Sequence, residues 1–191
     1  MANRGSATET RSFYLAYPMG RDIMDKAHFA PGGEAGRTGG CLCGAVRYRL
    51  LEEPTDPGYC HCRMCQLASG SPAMAFAGIA SAAFRIERGE PARRTSSAVG
   101  ERWFCRDCGT PLAMRVSYSP DTIDIAIATL DQPDTLPPAV HIWRESRIAW
   151  FETADTLPRH DRAQPKTMEQ CPGLAEGLGA GPRTTASATR P

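Results

Sequence analysis

Eight cysteines stand in this 191-residue chain, and all but Cys171 fall into three tight clusters. Cys41 and Cys43 sit in "GGCLCGAVRY", Cys60, Cys62 and Cys65 in "YCHCRMCQLASG", and Cys105 and Cys108 in "WFCRDCGTPL". Cysteines one residue apart do not readily meet disulfide geometry with each other, and in a reducing compartment clustered thiols point to metal instead. "CRDCGT" has the form of a zinc knuckle, in which two thiolates grip one ion from a tight turn and Gly109 is free to take the left-handed conformation at the turn's exit.

One knuckle supplies two ligands, whereas closed structural zinc sites have four. Cys41 and Cys43, likewise followed by a glycine, Gly44, can supply the other pair. The expected structural site is therefore Cys41, Cys43, Cys105 and Cys108, which would pin the start of the domain to its middle. Cys60, Cys62 and Cys65 remain, and three protein ligands with an exchangeable fourth position is the arithmetic of a reactive zinc. His61 offers the alternative of a closed second site with these same cysteines, although neighbours in an extended turn tend to point apart. His141, in "VHIWRES", reads as a structural or pocket residue, and His28 and His160 receive no role.

Three thiolates leave a zinc centre formally anionic, so it suits holding thiolates better than making hydroxide. A zinc deaminase needs a His-x-Glu ahead of its Pro-Cys-x-x-Cys. Here His61 is followed by Cys62 and Arg63, and no proline immediately precedes Cys105. A cysteine-histidine nucleophile is disfavoured as well, because ligation consumes the free thiolates.

The elements that must carry these thiols read as strands. Val46, Tyr48 and Leu50 alternate with Arg47 and Arg49; Leu112, Met114, Val116 and Tyr118 alternate with Ala113, Arg115 and Ser117; Ile123, Ile125 and Ile127 alternate with Asp124 and Ala126. Period-two patterning of this kind predicts half-buried antiparallel strands. "AFRIERG" repeats it with Phe84 and Ile86 inward, and "MAFAGI", apolar on both faces, suits a more central strand. The only helix expected is a turn or two near Arg63 to Ser69. The fold class is all-β.

Around this core, residues 1–36 read as a flexible N-terminal extension and 166–191 as a disordered C-terminal tail that lacks aromatic anchors, leaving one zinc domain over 37–165. Lys and Arg number 22 against 21 Asp and Glu, a net charge of +1, which leaves no electrostatic footprint for nucleic acid or an anionic membrane. No apolar stretch is long enough to span a bilayer and no secretory leader is visible, so the expected location is cytoplasmic.

In order along the chain, "GGCLCGAVRY", "YCHCRMCQLASGSP", "WFCRDCGTPL" and "HIWRESRIAWFETADTLPRH" resemble the glutathione-dependent formaldehyde-activating enzyme family, also called the CENP-V/GFA domain. The resemblance runs from about Thr38 to Pro165. It implies a zinc fold of the β-tent kind and two zinc ions per chain. One ion would be structural on Cys41, Cys43, Cys105 and Cys108, and a second, on Cys60, Cys62 and Cys65, would lie where glutathione is engaged. The family's named activity adds glutathione to formaldehyde, a carbon-sulfur bond-forming step classed with the lyases. Glutathione carries two carboxylates, for which Arg63, Arg102, Arg106 and Arg144 are candidate clamps. The competing expectation is a non-catalytic zinc-binding scaffold or interaction module.

Overall fold

Tyr48 and Leu50, both wholly buried, point to one side of a short strand whose other side carries Arg47 and Arg49. In the computed structural model, which describes residues 36–170, this strand is β2 (Arg47–Leu50), antiparallel to both β1 (Arg37–Gly40) and β5 (Phe84–Arg88) in a three-stranded sheet. The arginines are covered too: Arg47 pairs with Asp131, and Arg49 pairs with Glu87.

The remaining strands are β3 (Thr55–Cys60), β4 (Met74–Ala80), β6 (Ala92–Thr95), β7 (Gly100–Phe104), β8 (Pro111–Val116), β9 (Ser119–Ala126) and β10 (His141–Ile142). They form a seven-stranded sheet in the order β10-β3-β4-β9-β8-β7-β6, antiparallel throughout except where β10 runs parallel to β3. The fold is all-β, as expected. "MAFAGI" is indeed a central strand, because β4 lies between β3 and β9.

The main core lies between the two sheets. Tyr48 and Phe84 of the small sheet meet ring to ring at 5.1 Å, and Phe84 packs edge-on against Trp103 of the large one at 5.6 Å. Ala77, Ile79, Ala113, Ile123 and Ile125 complete it from β4, β8 and β9. Burying side chains of this size is worth roughly 1.5–3 kcal/mol each, which makes this interface the main source of stability.

The opposite face of the large sheet is covered rather than solvated. Phe76, Gly78, Arg102, Met114, Thr122 and Asp124 line a cavity there. Alternation along β9 therefore separates core from cavity; in β8 a register shift against β7 puts both Leu112 and Ala113 in the core while Met114 and Val116 line the cavity, which corrects the expectation of one face turned to water. Ile127, expected to continue β9, is buried in the 3-10 turn 127–129 that follows the strand.

Helix α1 (Arg63–Ser69) occupies the span expected of it. A second helix, α2 (Pro165–Gln170), forms where the sequence suggested the onset of a disordered tail. The missed anchors are Met168, which packs on the cluster around Cys60, and Lys166, which pairs with Asp56. Residues 1–35 and 171–191, with the expectations for His28 and Cys171, lie outside the described residues.

Candidate metal centres and the cavity between helix and sheet

Two turns face each other at one end of the small sheet. The first carries Cys41 and Cys43 out of β1, closed by the Gly44 amide donating to the Cys41 carbonyl at 3.0 Å. The second carries Cys105 and Cys108 out of β7, closed by the Gly109 amide donating to the Cys105 carbonyl at 2.9 Å. Gly44 and Gly109 have φ of +72° and +74°, the left-handed conformation that glycine adopts without a Cβ penalty. Ligand atoms of all four cysteines lie within 4.8 Å of one another. Thr110 ties the turns together, accepting from the Leu42 amide at 3.1 Å while its hydroxyl lies 3.1 Å from Cys108 Sγ. Against the desolvation that raises it, hydrogen bonds from Thr110 and Cys43 bring the Cys108 thiol down to about 6.

The second group is built by one strand-to-helix turn. Cys60 ends β3, Cys62 caps α1, and Cys65 sits in the helix's first turn. The capping bond itself uses the thiol: Cys65 N donates to Cys62 Sγ at 3.3 Å. At the other end of α1 the chain leaves through Gly70, in the left-handed conformation, whose amide donates to the Gln66 carbonyl at 2.8 Å. All three cysteines are buried, and their sulfurs lie within 4.8 Å of one another. They repel as thiolates: Cys62, Cys65 and burial push the Cys60 thiol well up, whereas Cys60 and Cys62, with Arg102 behind them, hold Cys65 well down. A cation among the sulfurs removes that conflict, and the chemistry of both donor sets suits a thiophilic metal ion.

His61 is not part of the second group. Its ring turns away from the sulfurs, and Nε2 lies 2.8 Å from Nδ1 of His141, which is itself fully buried. His141 is thus structural, as one of its two expected readings had it. His160 contributes only backbone hydrogen bonds.

The thiols of the second group open into a cavity of about 360 Å³. Met64, Met74, Phe76, Ile142 and Trp143 form its apolar wall around the sulfurs, and Arg102, Asp124, Asp56 and Lys166 bring charge to it. Trp143 holds φ of +58°, a left-handed backbone rarely adopted outside glycine, which turns the indole into this wall. Of the four arginines considered from sequence, only Arg102 lines the cavity, with Nη2 3.6 Å from Cys65 Sγ. Arg144 pairs with Glu152 at 3.2 Å, Arg63 reaches Gln66, and Arg106 is exposed.

Asp124 and Lys166 were missed. Asp124 is the lone acid among the apolar residues of "TIDIAIA", and that isolation was the available signal. Lys166 had none, because it reaches the cavity only through α2.

Compared with known proteins, residues 36–146 match the family described as glutathione-dependent formaldehyde-activating enzyme, more than half of the chain. An "Uncharacterized lyase" of Schizosaccharomyces pombe is 35% identical over 74 residues, 39% of this chain, and the match spans about half, 53%, of that relative's length. A Halomonas elongata protein provisionally named a glutathione-dependent formaldehyde-activating enzyme is 28% identical over 125 residues, 60% of this chain and 78% of that one. A crystal structure of a Rhodobacter sphaeroides protein is similar at a TM-score of 0.43 and 19% identity, covering 64% of this chain and 98% of that chain. With its two thiol groups in the matched span, the chain belongs to the glutathione-dependent formaldehyde-activating enzyme family.

Proposed function

We propose that this protein is a zinc-dependent thiol-binding enzyme that adds glutathione, or a related thiol, to formaldehyde or another small aldehyde. The carrying observation is that Cys60, Cys62 and Cys65 are buried against one another at the wall of a cavity that also holds Arg102 and Lys166. Cys41, Cys43, Cys105 and Cys108 would hold a structural zinc ion, and Cys60, Cys62 and Cys65 a second. Zinc at the second site would supply affinity for a thiolate.

The chain's own residues do the rest. Arg102 and Lys166 bring positive charge to a cavity that must admit an anionic thiol such as glutathione, and guanidinium suits a carboxylate geometrically. Met64, Met74, Phe76 and Trp143 lower the local dielectric around the sulfurs and strengthen each charged contact made there. Thiols add to formaldehyde unaided, so the expected gain is that of gathering two reactants in one cavity. The catalytic domain would span residues 37–165 together with the α2 residues that line the cavity, and act in the cytoplasm.

Zinc per chain, measured with and without glutathione, tests this reading. Glutathione should perturb or release about one ion while the structural ion stays. With formaldehyde added, S-hydroxymethylglutathione should form faster than the uncatalysed rate and fall to background in Cys60→Ser. A zinc content indifferent to glutathione, with no rate above background for any small aldehyde, would overturn the enzyme and leave a zinc scaffold.

A further inference from the structure

Asp124 stands in the middle of the large sheet with its side chain in the cavity. Across the strands it is paired with Met114 on one side and Gly78 on the other, and Met114 is paired in turn with Arg102. One row of the sheet therefore carries Arg102, Met114, Asp124 and Gly78 beneath the thiols of α1. Gly78 puts no side chain beside the carboxyl, and a Cβ there would already touch Thr122 at 3.4 Å and Thr55 at 3.5 Å. The Asp124 carboxyl makes no hydrogen bond or ion pair with any described residue, although Arg102 and Cys65 are near enough to act on it through space.

An acid without a partner in such a place lowers stability, and asparagine or a small apolar residue would be better tolerated. Features that oppose folding and persist inside a ligand cavity are expected at functional positions. Proton traffic is the function this one can serve. Adding a thiol to an aldehyde moves one proton from sulfur to oxygen, and inside a cavity walled by methionines and aromatic rings the carrier has to be provided by the protein.

Resting on the reading of this cavity as a thiol and aldehyde site, we infer that Asp124 is the proton carrier of the addition. Its carboxylate takes the proton from the thiol S–H. The sulfur lone pair forms the bond to the carbonyl carbon as the C=O π pair moves onto oxygen, and Asp124 returns the proton to that oxygen. The product is a hemithioacetal, no oxidant or reductant is consumed, and the carboxylate is restored. The reverse sequence describes breakdown of the adduct.

The charged and titratable groups that share the cavity with Asp124 are Cys60, Cys62 and Cys65 at the β3–α1 turn, Arg102 from β7, Asp56 from β3, Tyr118 between β8 and β9, and Lys166 from α2, of which Cys65, Arg102 and Asp56 act on it through space. Burial first, then the Cys65 sulfur, raise the carboxyl to about 7, with Arg102 pulling the other way. A carrier poised there exchanges its proton in both directions near neutral pH.

The test uses the zinc-loaded full chain and its Asp124→Asn variant, with glutathione and formaldehyde as probes. The variant should keep or raise its melting temperature and keep its zinc per chain and its glutathione affinity, and its turnover should fall by about 10²–10⁴-fold with KM little changed. The pH dependence of turnover near neutrality should vanish with it. As a readout independent of turnover, the ¹³C resonance of the Asp124 carboxyl should titrate near neutral pH and move on glutathione binding. Turnover of the variant within a few-fold of the parent protein overturns the carrier role and leaves the thiol and aldehyde reading standing. Loss of zinc or fold in the variant overturns it too, by showing a structural role. A parent protein inert toward both probes overturns both readings.

Discussion

Nε2 of His61 and Nδ1 of His141 lie 2.8 Å apart in a wholly buried contact that joins the end of β3 to β10. Both oxygens of Asp155 lie 3.2 Å from the other nitrogen of His141, and the Leu157 amide and Arg159 also donate to that carboxyl. The network assigns the tautomers: His141 Nε2–H donates to Asp155, and His61 Nε2–H donates to His141 Nδ1. Burial, with the positive charge of Arg144 acting the same way, lowers His61 to about 4, which keeps the ring neutral as this chain of bonds requires. By tying His61 away from the cavity, the contact turns its neighbours Cys60 and Cys62 into it.

Replacing His141 with phenylalanine fills the volume and preserves stacking on Tyr59, now at 5.0 Å, but leaves the His61 donor unpaired. The expected cost is about 1–3 kcal/mol. Thermal melts should show it, and competition with a chelator should show weaker metal retention at Cys60, Cys62 and Cys65 but not at the four-cysteine group.

The two cysteine groups should respond differently to serine. Cys108→Ser would remove a ligand of the proposed structural ion, whose binding is part of folding, of order 10 kcal/mol in small zinc domains, and should give insoluble or unfolded protein. Cys62→Ser keeps a preferred helix cap on α1 and should lose only the second ion, with strand content intact by circular dichroism. Equal loss of structure in the two variants would contradict the division.

Arg102→Met removes the one arginine in the cavity while retaining a side chain of similar reach. Affinity for glutathione should fall about tenfold or more, consistent with loss of a charged hydrogen bond. A thiol without carboxylates, such as 2-mercaptoethanol, should bind the variant and the parent protein alike. Calorimetry with both thiols separates a carboxylate clamp from a residue that only supports Cys65.

Stopping the chain after Gln164 deletes α2, and with it the Lys166 pair to Asp56 and the Met168 contact. The pair is exposed on both sides and contributes roughly 0–1 kcal/mol. The melting temperature should therefore drop by only a few degrees. Glutathione affinity should weaken more noticeably, because Lys166 and Thr167 line the cavity.

The three cysteine clusters, the helix at Arg63–Ser69 and the alternating strands were legible in the chain because each depends on spacing over a few residues: a knuckle closes within one turn, and a strand shows its period in four positions. The joining of Cys41 and Cys43 to Cys105 and Cys108 followed from counting ligands. What the far side of a strand faces depends on which segments return to cover it. Asp124 looks like an ordinary solvent-side acid in "TIDIAIA" until α1, β10 and α2 are laid across that face, and only then does it share a cavity with Cys65 and Arg102. The same holds for His61, whose partner is eighty positions away, and for Lys166, which meets Asp56 across 110. Local spacing determined the cysteine clusters, whereas long-range strand pairing and the elements packed over the sheet decided which of them meet and which other residues surround them.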